Sequence, residues 1–219
     1  GITGVGMSFP EHRLTNADLE KMVETDDAWI VERTGIRERR IVARGTGASV
    51  HGLLAARQAL DHAGVTAEQV DQIIVPTVTP DMVFPATACL IAHELGAVNA
   101  WGYDLEGACS GFVFALQNAR AQVEAGHAQR ILVIGTEVMS SIVDWEDRNS
   151  CILFGDGAGA VVVERIEPER VGIIDAIHHV DGGGIRVLHQ VAGGSRMPAS
   201  AESVAARLHT IHQEGRDVY

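Results

Sequence analysis

Residues 104–112, Asp104-Leu-Glu-Gly-Ala-Cys109-Ser-Gly-Phe112, place a thiol among small residues where an apolar strand pattern gives way to a helical one. A cysteine at a helix N-terminus meets the positive end of the helix dipole and unpaired backbone N–H groups, which lower its pKa and favour the nucleophilic thiolate. The N–H of Cys109 can also serve an oxyanion hole for a thioester carbonyl. Gly107, Ala108, Ser110 and Gly111 leave room for a substrate to approach. The bland alternative is a buried structural cysteine, the usual condition of an unpaired one. Spacing alone leaves both readings open. Cys89 in an apolar helix pattern and Cys151 in an apparent strand read as packing residues.

Gly107-Ala-Cys109-Ser-Gly111 also fits the nucleophile elbow of hydrolases, with Cys replacing Ser, and that chemistry needs an acid and then a histidine downstream. Asp144, Asp147, Asp156 or Asp175, followed by His178, His179, His189, His209 or His212, formally supply them. So wide a choice selects nothing. A second candidate is a run of five arginines, Arg33, Arg37, Arg39, Arg40 and Arg44, in a chain with sixteen arginines and one lysine. Guanidinium forks bind phosphates and carboxylates bidentately, so the run reads as an anion site or as a solvated turn with scattered ion pairs.

The elements that must carry these groups read as α/β. A strand over Gly1–Met7 precedes a helix capped by Thr15 or Asn16 and carrying Leu19, Met22 and Val23. Asp26 or Asp27 starts a short helix through Trp29 that Gly35 stops, and a longer helix bearing Val50, Leu53, Leu54 and Leu60 ends at Gly64. Thr66 to Gln69 has the form of a capping box. Strands over 70–75, 100–105 and 130–134 then alternate with helices over 86–95 and 111–125, closed by Gly96 and Gly126. Two more strands, 150–153 and 159–163, flank a tight Gly155–Gly159 turn that no Lys-Ser/Thr follows, so it is not a phosphate loop. After Pro168 the pattern predicts a strand over 172–177, a looser glycine-rich stretch, a strand over 208–212 and the start of a helix at Gly215. Apolar β-branched strands alternating with helices imply a sheet covered on both faces.

Composition bounds the function. With 219 residues, 46% of them hydrophobic, the chain has the length of one large domain or one and a half. A formal charge of -12 argues against bulk attraction to nucleic acid. No apolar run reaches 18 residues, and no secretory leader is evident at Gly1 to Gly6, so neither a membrane span nor export is expected. Cys89, Cys109 and Cys151 are an odd set without CxxC spacing, which points to a reducing compartment and away from a zinc site; no metal ligand is assigned.

Five ordered segments carry a resemblance: Gly1 to Gly6, Thr25 to Arg39 (Thr25-Asp-Asp-Ala-Trp29-Ile-Val-Glu-Arg33-Thr34-Gly-Ile-Arg37-Glu-Arg39), Phe84-Pro-Ala-Thr-Ala88, Ala108-Cys109-Ser-Gly-Phe112 and Phe154-Gly-Asp-Gly-Ala-Gly-Ala160. Together they resemble β-ketoacyl-acyl carrier protein synthase III, a thiolase-fold condensing enzyme. The likeness is tight to Val163, looser from Glu164 to Leu208, and returns in Glu214-Gly-Arg-Asp-Val218. It implies an α/β thiolase-like layered fold of mixed sheet and helices. Residues 1–165 would form the half bearing the nucleophile, and 166–219 the first strand and cap region of an incomplete second half.

The resemblance further implies an acyltransferase of fatty acid synthesis. Cys109 would take an acyl group from acetyl-CoA or another short acyl-CoA, and malonyl-acyl carrier protein would then condense with it after losing CO2. Trp29 and Arg148 would hold the adenine of coenzyme A between an indole and a guanidinium plane, Arg33 would meet its phosphates, and Thr25 would add a polar contact. Taken alone, Trp29 would pass for the core anchor of a short helix. Phe84 would cross a homodimer interface to the partner's acyl pocket, and Phe154 would lie near the acyl pocket, although its own setting favours core packing. The implied partners are acyl carrier protein and acyl-CoA, with coenzyme A thioester as substrate, no permanently bound cofactor, and a cytoplasmic location. Starter-unit or acyltransferase relatives in secondary metabolism share the cysteine, and the cysteine hydrolase is a minor alternative.

Two departures stand out. Glu106 and Gly107 occupy positions where relatives usually carry small or apolar residues, and a carboxylate turned inward at 106 would raise the thiol's pKa. The family also completes its site with a histidine and an asparagine from the second half. None of the ten histidines lies in its Pro-His-Gln-Ala-Asn setting, and the chain stops at Tyr219. The 219 residues by themselves are therefore expected to lack condensing activity.

Overall fold

The computed structural model describes residues 1–166 and 172–218. In chain order the elements begin with β1 (Ile2–Ser8), β2 (Arg13–Thr15), α1 (Asn16–Leu19), α2 (Asp27–Thr34), β3 (Glu38–Arg40) and α3 (Ala48–Ala63). Next come β4 (Gln72–Pro76), α4 (Thr87–Leu95), β5 (Trp101–Leu105), α5 (Gly111–Glu124), β6 (Arg130–Val138), α6 (Arg148–Cys151) and β7 (Asp156–Glu164). Beyond these lie β8 (Leu188–Gln190), α7 (Ala201–Ala205), β9 (Ile211–Gln213) and α8 (Gly215–Val218). Two compact units result.

The first unit comprises Gly1–Pro10, Val42–Val138 and Asp156–His178. Its mixed sheet has the order β1-β7-β6-β4-β5, parallel from β6 through β4 to β5 and antiparallel on the β7 and β1 side. Alternation assigns each strand to two apolar layers. Ile73 and Val75 of β4, Leu132 and Ile134 of β6, and Ala160 and Val162 of β7 pack with Ala55, Ala56 and Ala59 of α3 and Ala88 and Ile91 of α4. Ile74, Ile131, Val133, Val161 and Val163 pack with Ala115 and Ala119 of α5 on the other face. Burial on both faces is why these strands read as continuous apolar runs.

β1 lies directly on the α3 backbone. A Cβ built at Gly6 would stand 2.1 Å from the Ala55 carbonyl oxygen, and one at Gly4 2.2 Å from that of Ala59. The two glycines are thus required by close approach rather than by turn geometry.

The second unit comprises Glu11–Ile41, Met139–Gly155 and His179–Tyr219, with Tyr219 outside the described residues. Its core gathers Leu19, Ile30, Val143, Cys151 and Ile152, with Trp29 and Phe154 packed against them. Asp26 caps α2 by accepting from Trp29 N–H, and Gly35 closes it in the left-handed conformation at φ 72°. β2 pairs with β3, and β8 with β9.

Several expectations are corrected. Residues 148–151 are helical, not a strand, because the Asp147 side chain accepts from Asn149 N–H and starts a turn there. Gly155–Gly159 is no turn: 156–159 belong to β7, where Gly157 admits the Phe9 ring. Residues 172–177 form no strand. Pro168 lies outside the described residues. Among the described residues no helix is long and apolar enough to cross a membrane.

The substitution Gly6→Ala is expected to lower unfolding stability by about 1–3 kcal/mol, since β1 must move off α3 to admit the methyl group. Urea denaturation of the variant checks this, and an unchanged midpoint would contradict the packing described.

Candidate active site and aromatic clamp

In the sheet unit β5 runs into a tight turn at Ala108–Ser110, and α5 follows at once. Ala108 has φ 44°, an uncommon conformation for a residue with a side chain and one that concentrates at functional turns. A side chain at 107 is excluded as well, because its Cβ would lie 2.9 Å from the Phe114 ring and 3.0 Å from Gly111 Cα. The result is an exposed Cys109 at the start of the 14-residue α5, whose N-terminus has no side-chain cap.

The turn's own backbone bonds run from Ser110 N–H to the Gly107 carbonyl, 3.1 Å, and from Gly111 N–H to the Ala108 carbonyl. Neither uses the Cys109 N–H, the group expected to meet a thioester oxygen. Glu106 points outward: its residue is exposed and its Oε1 accepts from Ala108 N–H at 3.3 Å. The inward orientation considered from sequence is not adopted.

The other cysteines differ in environment. Cys89 is exposed on α4, so its reading as a packing residue is corrected. Cys151 is fully buried in the second unit, and burial, then the neighbouring Asp147 carboxylate, pushes its thiol above the ordinary value of 9.0.

The second unit brings together three of the four residues assigned to coenzyme A. Arg33 lies one helical turn after Trp29 on α2, and its guanidinium carbon sits 4.5 Å from the indole centroid. Arg148, at the first position of α6, places its own 5.0 Å from the same ring. Both are cation–π distances. Arg148 Nη1 also donates to the Glu24 carbonyl at 3.0 Å, tying α6 to the segment that leads into α2. Thr25, beside Glu24, has a buried hydroxyl oxygen with no hydrogen-bond partner.

The arginine run divides. Arg39 is buried and donates to the Leu14 carbonyl, Asn16 Oδ1 and the Ile152 carbonyl, which makes it a structural cross-link. Arg33 stacks on an aromatic ring. Phe84 is 84% exposed on a loop with Met82 and Val83, a projecting apolar group of the sheet unit. Phe154 is half-buried against the second unit's core.

One group went unnoticed in the sequence. Glu137, near the end of β6, accepts from Thr77 Oγ1, Val78 N–H and Thr79 Oγ1. Burial raises its pKa above the ordinary 4.5, against the opposing effect of those hydrogen bonds. A carboxylate within the apolar run Arg130–Val138 was the available signal.

Comparison with known proteins places this arrangement. Residues 103–182 match a family model described as 3-oxoacyl-(acyl-carrier-protein) synthase III. A beta-ketoacyl-(acyl-carrier-protein) synthase III of Caldanaerobacter subterraneus subsp. tengcongensis is 51% identical over 219 residues, covering 100% of this chain and 66% of the relative. The crystal structure of 3-oxoacyl-(acyl-carrier-protein) synthase III from Aquifex aeolicus superposes with a TM-score of 0.88 at 41% identity, covering 99% of this chain and 65% of that one. A priming beta-ketosynthase from the R1128 polyketide biosynthetic pathway gives 0.89 at 37% identity, covering 99% and 64%. The chain spans 66% to 67% of the length of the curated relatives it matches.

Because its thiolate forms only at elevated pH and its sulfur is buried, Cys151 is expected to react with iodoacetamide at least about tenfold more slowly than Cys109 at pH 8. Peptide mass mapping over time checks the order. Equal rates would show that the core around Cys151 opens readily.

Proposed function

The chain belongs to the β-ketoacyl-acyl carrier protein synthase III family, and from that membership we propose that it carries the nucleophile and coenzyme A contacts of a decarboxylating condensing enzyme. The observation that supports this most is the turn at Ala108–Ser110, which presents an exposed thiol at the start of α5.

Cys109 attacks the thioester carbonyl of a short acyl-CoA, acetyl-CoA in the simplest case. The carbon–sulfur bond to coenzyme A breaks, and the free thiol leaves with a proton while the acyl group stays on Cys109. The Cys109 N–H stabilises the oxyanion of that step. Malonyl-acyl carrier protein then loses CO2, its carbanion attacks the acyl carbon, and the Cys109 sulfur departs from the 3-oxoacyl product. The histidine and asparagine that assist decarboxylation in this family have no assigned counterpart among these residues. The 219-residue chain alone is therefore expected to accept an acyl group without condensing it.

Trp29 and Arg148 take the adenine between them, Arg33 meets the phosphates, and Thr25 supplies its unpartnered hydroxyl. Intercalation needs about 7 Å between the two planes, roughly two van der Waals contacts of 3.5 Å, so Arg148, whose guanidinium carbon lies 5.0 Å from the ring centroid, must withdraw to admit the adenine. Phe84 projects to a second copy of the chain in a homodimer, and Phe154 borders the acyl pocket. Residues 1–165 are the nucleophile-bearing half of a two-half thiolase-like protein, 166–219 open its second half, and acyl carrier protein is its partner in the cytoplasm. A starter-unit enzyme of secondary metabolism is the second reading, favoured by the likeness to the priming beta-ketosynthase.

Replacing Trp29 with Ala is expected to weaken coenzyme A binding about tenfold, the loss of roughly 1.4 kcal/mol of stacking and cation–π attraction. Isothermal titration of the protein with coenzyme A checks this, and equal affinities would remove Trp29 from the site.

A further inference from the structure

Glu137 is a largely buried carboxylate of the sheet unit that the proposed chemistry does not use. Its surroundings connect it to the thiol turn by short steps. Val78 N–H donates to Glu137 Oε1 at 2.9 Å, Thr77 Oγ1 donates to Oε2 at 3.3 Å, and Thr79 Oγ1 donates to the same oxygen. Thr79 is itself fixed, since its Oγ1 accepts from Val138 N–H at 2.8 Å and its N–H donates to Thr77 Oγ1 at 3.1 Å. Thr77 and Thr79 are buried, so none of these bonds is readily exchanged for water.

The gripped segment touches the nucleophile's support on its other side. Thr77 N–H donates to the carbonyl of Leu105, the last residue of β5, at 3.2 Å. Pro76 abuts Gly111, the first residue of α5, where an added Cβ would lie 3.3 Å from the proline Cβ. Phe112 packs over Gly135, two residues before Glu137, where an added Cβ would lie 3.0 Å from the ring. Residues 76–79 thus bear on both ends of the turn that holds Cys109, and they lead onward to the exposed loop of Phe84.

We propose that Glu137 is a positioning residue for Cys109, its carboxylate holding Thr77, Val78 and Thr79 so that β5 and α5 meet at the strained Ala108 turn. The acyl-transfer part of this inference rests on the function proposed above; the mechanical coupling does not. Glu137 touches neither thiol nor substrate. It acts by accepting hydrogen bonds, so an amide oxygen at the same place keeps the Val78 bond and most of the effect, whereas a methyl group leaves the donors of Thr77, Val78 and Thr79 unpaired.

The test compares Glu137→Ala and Glu137→Gln with the unaltered protein by two readouts at a temperature where all three are folded. Amide hydrogen exchange reports the coupling without reference to coenzyme A. Glu137→Ala is expected to speed exchange about tenfold or more at 77–79 and also at 106–110, with Glu137→Gln within about threefold of the parent. Unchanged exchange at 106–110 in the alanine variant overturns the proposal, and so does an equal effect of the two substitutions.

The second readout is acetyl transfer from acetyl-CoA to Cys109, with alkylation of buried Cys151 reporting general unfolding. The expected result is about a tenfold slower transfer in Glu137→Ala, partial or full rescue in Glu137→Gln, and Cys151 protected in both. Slower transfer accompanied by exposed Cys151 would mean a merely structural role and overturn the positioning claim. If the parent protein is not acetylated at all, the functional reading fails, and the exchange data alone then decide the coupling. Should Glu137→Ala not fold, Thr77→Val, which keeps the side chain's shape but removes both the donor to Glu137 and the acceptor of Thr79 N–H, is expected to speed exchange at 106–110 by severalfold, and its failure to do so overturns the proposal.

Discussion

A thiol can stand exposed between a strand and a helix only if the backbone reverses within three residues, and that requirement governs the sheet unit. The reversal puts Ala108 at φ 44° and leaves no space for a side chain at 107. Such a conformation costs of order 1–3 kcal/mol and persists only where the surroundings determine it. Here the surroundings are the parallel pair β4 and β5, joined beyond its end by Thr77 and Leu105, and α5 packed on the sheet through Ala115 and Ala119. The opposite layer, with Gly4 and Gly6 seated on α3, keeps that sheet from shifting.

The second unit solves a different problem with the same economy of residues. Trp29 is held at the edge of its core by the Asp26 cap of α2, which leaves the indole ring open to two guanidinium groups. Arg148 reaches the ring because Asp147 starts the short α6 and the Glu24 carbonyl accepts from its guanidinium. The ring is therefore both a core anchor and a stacking surface.

Much of the fold was legible because it depends on local chemistry. The caps at Asp26 and Thr15, the closing glycines 35 and 64, and the apolar strands over 70–75 and 130–134 follow from side chains within a few positions. Errors arose where the deciding contact is distant or the signal ambiguous. Cys151-Ile-Leu-Phe154 is a short apolar run that periodicity cannot assign, and one capping aspartate made its start helical. Glycines at 155–159 suggested a turn, yet Gly157 admits the ring of Phe9, which follows β1. β2 and β3, three residues each, escaped notice because their support is the buried Arg39 side chain, whose acceptors include a carbonyl 113 residues away. At the site, the nucleophile was visible as a pattern, while Glu137 gains meaning only when β4 and β6 lie side by side.

The central claim is that the turn at Ala108–Ser110 makes Cys109 the acyl acceptor, and exposure alone does not establish it, since Cys89 is exposed too. The most direct measurement is to incubate the protein with acetyl-CoA and locate the acetyl group by peptide mass analysis. The account predicts a single thioester on Cys109, with Cys89 and Cys151 unmodified. Acetylation of Cys89 or Cys151 in preference to Cys109 would contradict it.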